Sequence, residues 1–260
     1  MNNKDKNIVF ITGATAGIGW ATAMLFAQQG WDIIATGRRK ERLNELCQQI
    51  NHQYPSIKIL PLVLDVRSNK QVQQSIENLP PDWQSIRVLV NNAGLAVGFE
   101  TIENADTNDW DTMIDTNIKG LLYVTRAIVP LMIQHKTGGH IVNLSSIAGK
   151  EVYLRGNVYC ATKHAVEALT KSTRIDLLPY GIKVTGISPG AAETEFSIVR
   201  YKGDEEKAKQ MYTGYTPLTA NDIADTIWYA VSRPKHVNIG DITITCNAQA
   251  NVYYWDKNQI

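Results

Sequence analysis

The fold is decided by the stretch Ile8-Val9-Phe10-Ile11-Thr12-Gly13-Ala14-Thr15-Ala16-Gly17-Ile18-Gly19 near the start of the sequence. Its first half is apolar and β-branched, which predicts a strand that stops at Gly13. The residues from Ala16 to Gln29 repeat apolar side chains at helical spacing and are followed by Gly30, a typical helix C-cap. A glycine-rich turn in this context predicts a βαβ unit, because Gly13 permits the tight turn and Gly19 lets the helix approach the sheet.

The same alternation of short strands and amphipathic helices continues along the chain. The predicted strands are Ile8–Thr12, Asp32–Thr36, Ile57–Leu64, Arg87–Asn91, His140–Leu144, Lys183–Ile187 and Asp241–Thr245. The predicted helices are Ala16–Gln29, Lys40–Gln49, Asn69–Leu79, Thr107–Gln134, Asn157–Leu178 and Asn221–Ser232, and Pro130 predicts a bend or break in the fourth. Repeated βα units require right-handed crossovers and a parallel sheet covered on both faces. We therefore expect an α/β fold with a doubly wound, Rossmann-type parallel sheet of about seven strands and helices on both faces.

The organisation of the chain indicates one domain. No internal repeat, low-complexity tract or linker interrupts the 260 residues, so a single domain over residues 1–260 is expected. The least regular stretch, about residues 190–217, follows the sixth predicted strand. Sheets of this kind bind ligands beyond the carboxyl ends of their strands. We expect this stretch to form a lid over a small-molecule substrate.

Composition argues against several classes of function. The formal net charge of +1 gives no reason to expect a nucleic-acid partner or an acidic membrane surface. No run approaches the roughly 20 apolar residues of a membrane span. The three cysteines are far apart and predict reduced intracellular thiols, and the five histidines show no metal-ligand spacing. We expect a cytoplasmic protein with no metal and no membrane partner.

The turn after the second predicted strand indicates which dinucleotide would bind. The N-terminus of the first helix presents free N–H groups and a positive dipole end to a pyrophosphate. An NAD site usually places an acid at the end of the second strand, whereas an arginine there accommodates a 2′-phosphate. The sequence reads Ala35-Thr36-Gly37-Arg38-Arg39 and has no acid at this point. NADP(H) is therefore expected, although the glycines alone fit a plain tight turn and the arginines alone fit a solvated helix start.

Tyr159 and Lys163 form the candidate catalytic pair. They are four residues apart on one predicted helix and so share a face. A nearby ammonium stabilises a phenolate and lowers the pKa of the tyrosine, which suits a general acid that protonates a carbonyl oxygen as hydride arrives. Taken alone, such a pair is most often a surface feature, so the other motifs decide between the two interpretations.

The motifs together resemble the classical short-chain dehydrogenases/reductases. They follow that family's order and spacing along nearly the whole chain: Thr12–Gly19, Asn91-Asn92-Ala93-Gly94, Asn117, Ser146, Tyr159 with Lys163, and Pro189-Gly190. The resemblance implies that Ser146 hydrogen-bonds the substrate oxygen, that Tyr159 transfers the proton and that Lys163 also holds the nicotinamide ribose. It implies that Asn117 supports a water in the proton relay. Ser146 is preferred to Ser145 because it precedes Tyr159 by the family's usual thirteen residues.

The resemblance also implies a cofactor site and an oligomer. The expected cofactor-binding residues are Gly13, Thr15, Gly17, Ile18, Gly19, Arg38, Arg39, Asp65, Asn91, Ala93, Gly94, Tyr159, Lys163, Pro189, Gly190 and Thr194. Asn91, Ala93 and Gly94 are expected to line the cofactor and brace the central sheet. Asp65 either meets the adenine or caps the following turn. The family is typically tetrameric, so a homotetramer is expected.

A narrower resemblance concerns the substrate. Ala35–Arg39, Asn91–Gly98, Asp109–Gly120 and Thr194–Asp204 are similar to the NADP-dependent 3-hydroxy acid dehydrogenases. That group oxidises serine, allo-threonine and related β-hydroxy acids, or reduces malonic semialdehyde. Such a substrate carries a carboxylate, which a guanidinium can bind through two parallel hydrogen bonds. The candidate substrate-binding residues are therefore Ser146, Arg155 and Arg200.

Two other functions stay open at this stage. The same chemistry could act on a 3-oxoacyl thioester or on a sugar, or the fold could serve as a dinucleotide-sensing regulator without turnover. The complete set of Asn117, Ser146, Tyr159 and Lys163 argues against the regulator, because a sensor need not keep a proton relay.

Overall fold

A seven-stranded parallel sheet forms the centre of the computed structural model, which describes residues 7–136 and 138–257. The strands are β1 (Ile8–Ile11), β2 (Asp32–Gly37), β3 (Ile59–Val63), β4 (Ile86–Asn91), β5 (His140–Leu144), β6 (Lys183–Pro189) and β7 (Asp241–Ile244). They lie in the order β3-β2-β1-β4-β5-β6-β7, and every neighbouring pair is parallel. The predicted fold class is confirmed. Residues 1–6, 137 and 258–260 of the predicted domain lie outside the described residues.

Helices cover both faces of the sheet. They are α1 (Gly17–Gln28), α2 (Lys40–Gln53), α3 (Asn69–Glu77), α4 (Thr107–Ile114), α5 (Leu121–Gln134), α6 (Asn157–Leu177), α7 (Phe196–Arg200), α8 (Glu205–Gln210) and α9 (Ala220–Val231). Helices α1, α2 and α9 share one apolar core with the sheet, and α3 and α5 share the other. In the described part of the chain, no helix has the length and apolar character needed to cross a membrane.

Strand β1 shows why the sheet is central to both cores. Val9 and Ile11 point into one core, whereas Ile8 and Phe10 point into the other. Successive side chains of a strand point to opposite faces, so an entirely apolar strand is stable only when both faces are covered. All four residues of β1 are buried, which explains the unbroken apolar run in the sequence.

The chain reverses direction across the sheet between β1 and β4. From β1 it builds outward to β3, and it then crosses to β4 on the other side. Asn92 follows β4 and donates hydrogen bonds from Nδ2 to the carbonyls of Thr12 (2.8 Å) and Gly13 (3.1 Å). A Cβ at Gly19 would lie 2.3 Å from the Gly13 carbonyl oxygen, so α1 can approach the sheet only with glycine there. This reversal creates the crevice where such sheets bind ligands.

Of the predicted bend or break near Pro130, the break is wrong. Helix α5 continues through Pro130 to Gln134, and the irregular turn lies earlier, as a π-helical turn over Asp115–Gly120. Pro130 cannot bond the carbonyl of Arg126, but both residues are exposed, so water can solvate that carbonyl at small cost. Single π turns occur frequently at functional sites, and this one contains Asn117.

Candidate active site

A cavity of about 470 Å³ lies at the carboxyl ends of the strands. The turns after the first four strands, the ends of β5 and β6, and the 190–217 segment form its walls. The predicted site residues that line it are Gly13, Thr15, Gly17, Ile18, Arg38, Arg39, Asp65, Ala93, Gly94, Ser146, Tyr159, Lys163, Pro189, Gly190, Thr194 and Arg200. The structure therefore brings the predicted cofactor, catalytic and substrate residues around one space.

Asn91 and Arg155 do not line this cavity, and Gly19 acts through the packing described above. The side chain of Asn91 is buried inside the sheet, where Nδ2 donates to Thr125 Oγ1 and to Asn143 Oδ1, both at 2.9 Å. It braces the sheet as expected, but it does not face the cavity, because its strand position points it toward α5. Arg155 is exposed, with its guanidinium 5.8 Å from the Phe99 ring, and it contacts a separate small pocket.

Asn117 lies directly behind the cavity wall. Its Nδ2 donates to the Leu95 carbonyl at 2.8 Å and to Thr162 Oγ1 at 3.0 Å, while its Oδ1 accepts from the Leu95 N–H at 2.9 Å. A Cβ at Gly94 would lie 3.2 Å from Asn117 Oδ1 and 3.4 Å from Lys163 Nζ. Asn117 thus ties the loop after β4 to the helix that carries Tyr159 and Lys163, and it lies close to Lys163.

The first turn of α1 is suited to a phosphate group. Its N-cap is Ala16, which has no side chain to bond the free N–H groups, and no acid occurs in the first turn. These N–H groups and the positive end of the helix dipole are therefore available to an anion at the cavity wall.

The arginines beyond β2 fit a 2′-phosphate. Arg39 donates to Thr15 Oγ1 from Nη2 at 3.1 Å, and its Nη1 forms an ion pair with Glu195 at 2.9 Å. A Cβ at Gly37 would lie 2.4 Å from Thr15 Cγ2, so a larger residue in the position of the NAD-binding acid would displace Thr15. Arg38 is exposed and lines the cavity. Two cations and a hydroxyl, with no acid at the carboxyl end of β2, are the donor set that NADP(H) needs.

Asp65 caps the turn after β3, which was one of its two predicted roles. Its Oδ1 accepts from the Arg67 N–H at 3.0 Å, and its Oδ2 forms an ion pair with the Arg67 guanidinium at 2.6 Å. Hydrogen bonding by Arg67, assisted by the positive charge of Arg38, holds the pKa of Asp65 below its usual value. The carboxylate also lines the cavity, so the second role stays a prediction.

Helix α6 positions Tyr159 and Lys163. Both side chains are buried, and Lys163 Nζ donates to the Leu144 carbonyl at 2.9 Å and lies 5.9 Å from the centre of the Tyr159 ring. Burial lowers the pKa of Lys163 to about 8, and the negative charge of Glu167 opposes that shift. The lysine is therefore a cation whose charge is sensitive to its surroundings near neutral pH.

The expected lowering of the Tyr159 pKa by Lys163 is not found. Burial raises the pKa of Tyr159, and the opposing influences are a hydrogen bond with Ser146 and the positive charge of Arg200. Burial penalises the charged phenolate more than these partners favour it. Tyr159 is consequently protonated at neutral pH, in the form that can donate a proton.

Ser146 is held loosely beside Tyr159. Its Oγ accepts from the Ala148 N–H at 3.1 Å and contacts the Pro189 carbonyl at 3.4 Å, a long distance for a hydroxyl donor. Its hydrogen bond with Tyr159 brings the two hydroxyls together, so one substrate oxygen can meet both of them.

Arg200 is a buried cation within the cavity. Only 7% of its surface is exposed, and its guanidinium lies 4.7 Å from the Phe99 ring centre, 5.2 Å from that of Tyr153 and 5.8 Å from that of Tyr159. Its Nη2 donates to the Tyr153 hydroxyl at 2.8 Å. Over residues 7–136 and 138–257, Arg200 forms no ion pair and its Nε has no hydrogen-bond partner.

Several lining residues were not predicted from the sequence. Tyr153 lies in the loop before α6, and Gln249, Val252 and Trp255 come from the C-terminal segment. Gln249 Oε1 accepts from the Ala191 N–H at 2.9 Å, which fixes the amide against the cavity wall. The aromatic residues around Trp255 are the only sequence signal in this segment. No spacing rule connects the segment to α6.

Comparisons with known proteins agree with this geometry. The family model for short chain dehydrogenase matches residues 7–205. The chain is 45% identical over 245 residues to sulfoacetaldehyde reductase 2 of Chromohalobacter salexigens, covering 94% of this chain and 96% of the relative. It is 46% identical over 236 residues to an NADP-dependent 3-hydroxy acid dehydrogenase of Salmonella typhi, covering 90% and 93%.

A solved structure gives the same result. The closed form of serine dehydrogenase complexed with NADP+ superposes with a TM-score of 0.89 at 43% identity, covering 94% of this chain and 97% of that one. The chain belongs to the short-chain dehydrogenase family and is an NADP(H)-dependent oxidoreductase of the alcohol/carbonyl type.

Proposed function

We propose that the enzyme interconverts a small 3-hydroxy acid with its carbonyl form, with serine, allo-threonine or 3-hydroxypropionate as the type of substrate. The observation that carries this proposal is the buried Arg200 guanidinium beside Tyr159. Leaving a charge buried without a counter-ion is costly, so such a group is expected to meet an anion when the enzyme works. A substrate carboxylate supplies that anion.

The closeness of Arg200 to Tyr159 favours a short acid as substrate. Arg200 lies 5.8 Å from the centre of the Tyr159 ring. In a 3-hydroxy acid the carboxyl carbon is two bonds from the reacting carbon, or about 2.5 Å away. We therefore propose that the reacting oxygen meets Tyr159 and Ser146 while the nearby carboxylate of the same molecule meets Arg200. The flanking rings of Phe99 and Tyr153 exclude water and strengthen that ion pair.

Tyr159 is proposed as the general acid in the direction of reduction. Its hydroxyl gives a proton to the carbonyl oxygen, and Ser146 donates a hydrogen bond to the same oxygen. Arg200 then stabilises the phenolate that remains, because its positive charge lies near the ring and opposes the effect of burial on the pKa of Tyr159. Asn117 is proposed to support the relay that restores the proton, since it borders Lys163 through Gly94.

NADP(H), when bound, supplies or accepts the hydride. The residues proposed to hold it are Thr15, Arg38 and Arg39 at the 2′-phosphate, the α1 N-terminus at the pyrophosphate, and Lys163 at the nicotinamide ribose, because all of them line the cavity. The 190–217 segment is proposed as a lid, because its residues Thr194, Phe196 and Met211 line the cavity. We further propose a cytoplasmic homotetramer from the family resemblance, and light scattering on the purified protein tests the assembly.

Reduction of a sulfonate aldehyde is a second candidate, favoured by Gln249. This side chain is buried in the same cavity, and its Oε1 is engaged with Ala191, so the Nε2 group is the end that can donate. A sulfonate has three acceptor oxygens where a carboxylate has two, and the amide provides a donor for the third. The relative at 45% identity is named a sulfoacetaldehyde reductase.

An NADPH oxidation assay with a panel of carbonyl compounds tests the proposal. The panel contains malonic semialdehyde, sulfoacetaldehyde, a 3-oxoacyl thioester, a sugar and a neutral aldehyde, and serine and 3-hydroxypropionate are tested with NADP+. A preference for the small anions supports the proposal. The ratio of kcat/KM for malonic semialdehyde to kcat/KM for sulfoacetaldehyde then decides between the two candidate substrates. Preference for the thioester or sugar, or no turnover with any compound, contradicts it.

A further inference from the structure

A second group of charged side chains lies next to the catalytic residues. Glu167 is one helical turn after Lys163, and only 9% of its side chain is exposed. Lys150 Nζ lies 2.5 Å from Glu167 Oε2 and 2.7 Å from Asp241 Oδ2. Ser188 donates a hydrogen bond to Glu167 Oε1 at 2.9 Å. Both carboxylate oxygens of Glu167 are therefore engaged by other elements of the fold.

The partners of Glu167 surround Ser146. Ser188 immediately precedes Pro189, whose carbonyl contacts the Ser146 hydroxyl. Lys150 closes the helical turn of residues 147–149, for which Ser146 is the N-cap. Ser145 bonds through its N–H to the Ile187 carbonyl at 2.8 Å, which joins the ends of β5 and β6 at this point. The Glu167 carboxylate thus connects α6 to both sides of the loop that presents Ser146.

The charge of Glu167 is maintained at neutral pH. Burial raises the pKa of Glu167, but hydrogen bonds from Lys150, Ser145 and Ser188 outweigh it and hold the pKa below its usual value. A buried ion pair is often no more stabilising than apolar side chains of the same volume. Stability alone therefore gives a weak reason for placing a carboxylate here.

We propose that Glu167 is a positioning residue for the reaction: its carboxylate fixes the loop that carries Ser146 and places a negative charge one turn from Lys163. The proposal rests on the roles proposed above for Ser146 and Lys163. Glu167 is the group whose charge counteracts the effect of burial on Lys163. The other titratable or charged groups around this cluster are Tyr159 on α6, Lys150 after β5, Asp241 on β7 and Arg200 on α7.

Two substitutions separate the charge from the geometry. Glu167→Gln keeps the size of the side chain and removes its charge, so the pKa of Lys163 should fall further. In a plot of kcat for reduction against pH, the fall in kcat at high pH (the high-pH limb) should then move to lower pH. We expect about a tenfold fall in kcat at pH 8, with partial recovery at pH 6. Ser188→Ala keeps the charge and removes one bond, so kcat should fall severalfold at every pH while the limb stays in place.

Asp241→Asn is the matched control. It removes the other carboxylate bound to Lys150 and leaves Glu167 in place. The kcat should therefore stay within about twofold of the wild-type value, and the high-pH limb should stay at the wild-type pH. Glu167→Asp should keep the limb at its original pH. If Glu167→Gln is insoluble, these variants decide: a retained limb in Glu167→Asp with a lower kcat in Ser188→Ala supports the proposal.

Three results would overturn it. They are an unchanged kcat and pH limb in Glu167→Gln, a loss of thermal stability alone, or a limb that moves equally in Asp241→Asn. If Glu167→Gln is insoluble, the proposal is overturned by an unchanged kcat in Ser188→Ala. It is also overturned if the high-pH limb of the kcat profile moves in Glu167→Asp. A wild-type enzyme inactive on every carbonyl acid would instead refute the proposed function, so the two failures are distinguishable.

Discussion

The guanidinium of Arg200 and the hydroxyl of Tyr153 are joined by a hydrogen bond of 2.8 Å in the wall of the active-site cavity. Arg200 ends α7, and Tyr153 lies in the loop before α6. The pair therefore connects the 190–217 segment to the element that carries Tyr159. A substrate anion bound by Arg200 would be placed by the same contacts that place the segment over the cavity.

The arginines after β2 should determine the choice of cofactor. A guanidinium–phosphate contact is worth roughly 1.5–3 kcal/mol, so replacing Arg38 with Leu should weaken NADPH binding about ten- to a hundredfold and change NADH binding little. Dissociation constants for both nucleotides measure this. Arg42→Leu is the control, since Arg42 lies on α2 and stacks on Trp20. An equal loss for the two nucleotides in Arg38→Leu would contradict the assignment.

Glu195 should compete with the 2′-phosphate for Arg39. The two side chains form an ion pair at 2.9 Å but are about half exposed (48% and 45%), so the contact is weak. Glu195→Gln should tighten NADPH binding by about two- to fivefold and leave NADH unchanged. Glu193→Gln, on the same segment and outside the cavity wall, is the control. Weaker NADPH binding in Glu195→Gln would show that the pair helps to build the site.

Loss of the Tyr159 hydroxyl should nearly abolish turnover. Tyr159→Phe keeps the ring and its packing against Phe196, so NADPH affinity should stay close to that of the wild type while kcat falls at least about a hundredfold. Lys163→Ala should damage both quantities, because that side chain is assigned to the proton transfer and to the ribose. Residual kcat above about a tenth of the wild-type value in Tyr159→Phe would exclude the role.

His140 should make the fold sensitive to acid. It is buried in β5, and burial, with the nearby positive charge of Lys183, lowers the pKa of His140 to about 3. In the unfolded chain this histidine has its ordinary pKa of 6.5, so the unfolded state binds more protons than the folded state as the pH falls from 6.5 to 3. This linkage should remove about 2 kcal/mol of the free energy of unfolding between pH 7.5 and 5.

Urea denaturation at the two pH values measures the effect of His140. His140→Gln keeps a polar side chain that can still reach Thr185, and it lacks the titration. The variant should lose less stability on acidification than the wild type. Equal losses in the two proteins would place the acid sensitivity elsewhere.

The sheet could be predicted from the sequence because its strands are short, apolar and separated by helices of regular period. Right-handed crossovers fix the hand of each βαβ unit, whereas the strand order β3-β2-β1-β4-β5-β6-β7 comes from the structure. Two features escaped that reasoning. Pro130 is tolerated because the carbonyl it deprives of a partner is on the exposed face, and the π turn at Asp115–Gly120 has no periodic signature.

The residues that line the candidate site could be predicted where they are close in sequence or belong to a family motif. Arg155 and Arg200 could not be told apart, because only the packing shows that one is exposed and the other is enclosed by aromatic rings. Asn91 follows a motif, yet its side chain faces the core, since alternation along β4 turns it away from the cavity. Contacts such as Gln249 with Ala191 join distant segments and leave no local pattern.

The most direct test of the central claim is the preference for an anionic substrate in the wild type and in Arg200→Met. The quantity is the ratio of kcat/KM for malonic semialdehyde to kcat/KM for propanal, with NADPH. A buried charge-assisted pair is worth roughly 1.5–3 kcal/mol or more, so the wild-type ratio should be about tenfold to a few hundredfold. Arg200→Met should bring the ratio close to one, whereas Arg155→Met should leave it unchanged. A ratio that survives in Arg200→Met, or a wild type without any preference for the acid, would contradict the account.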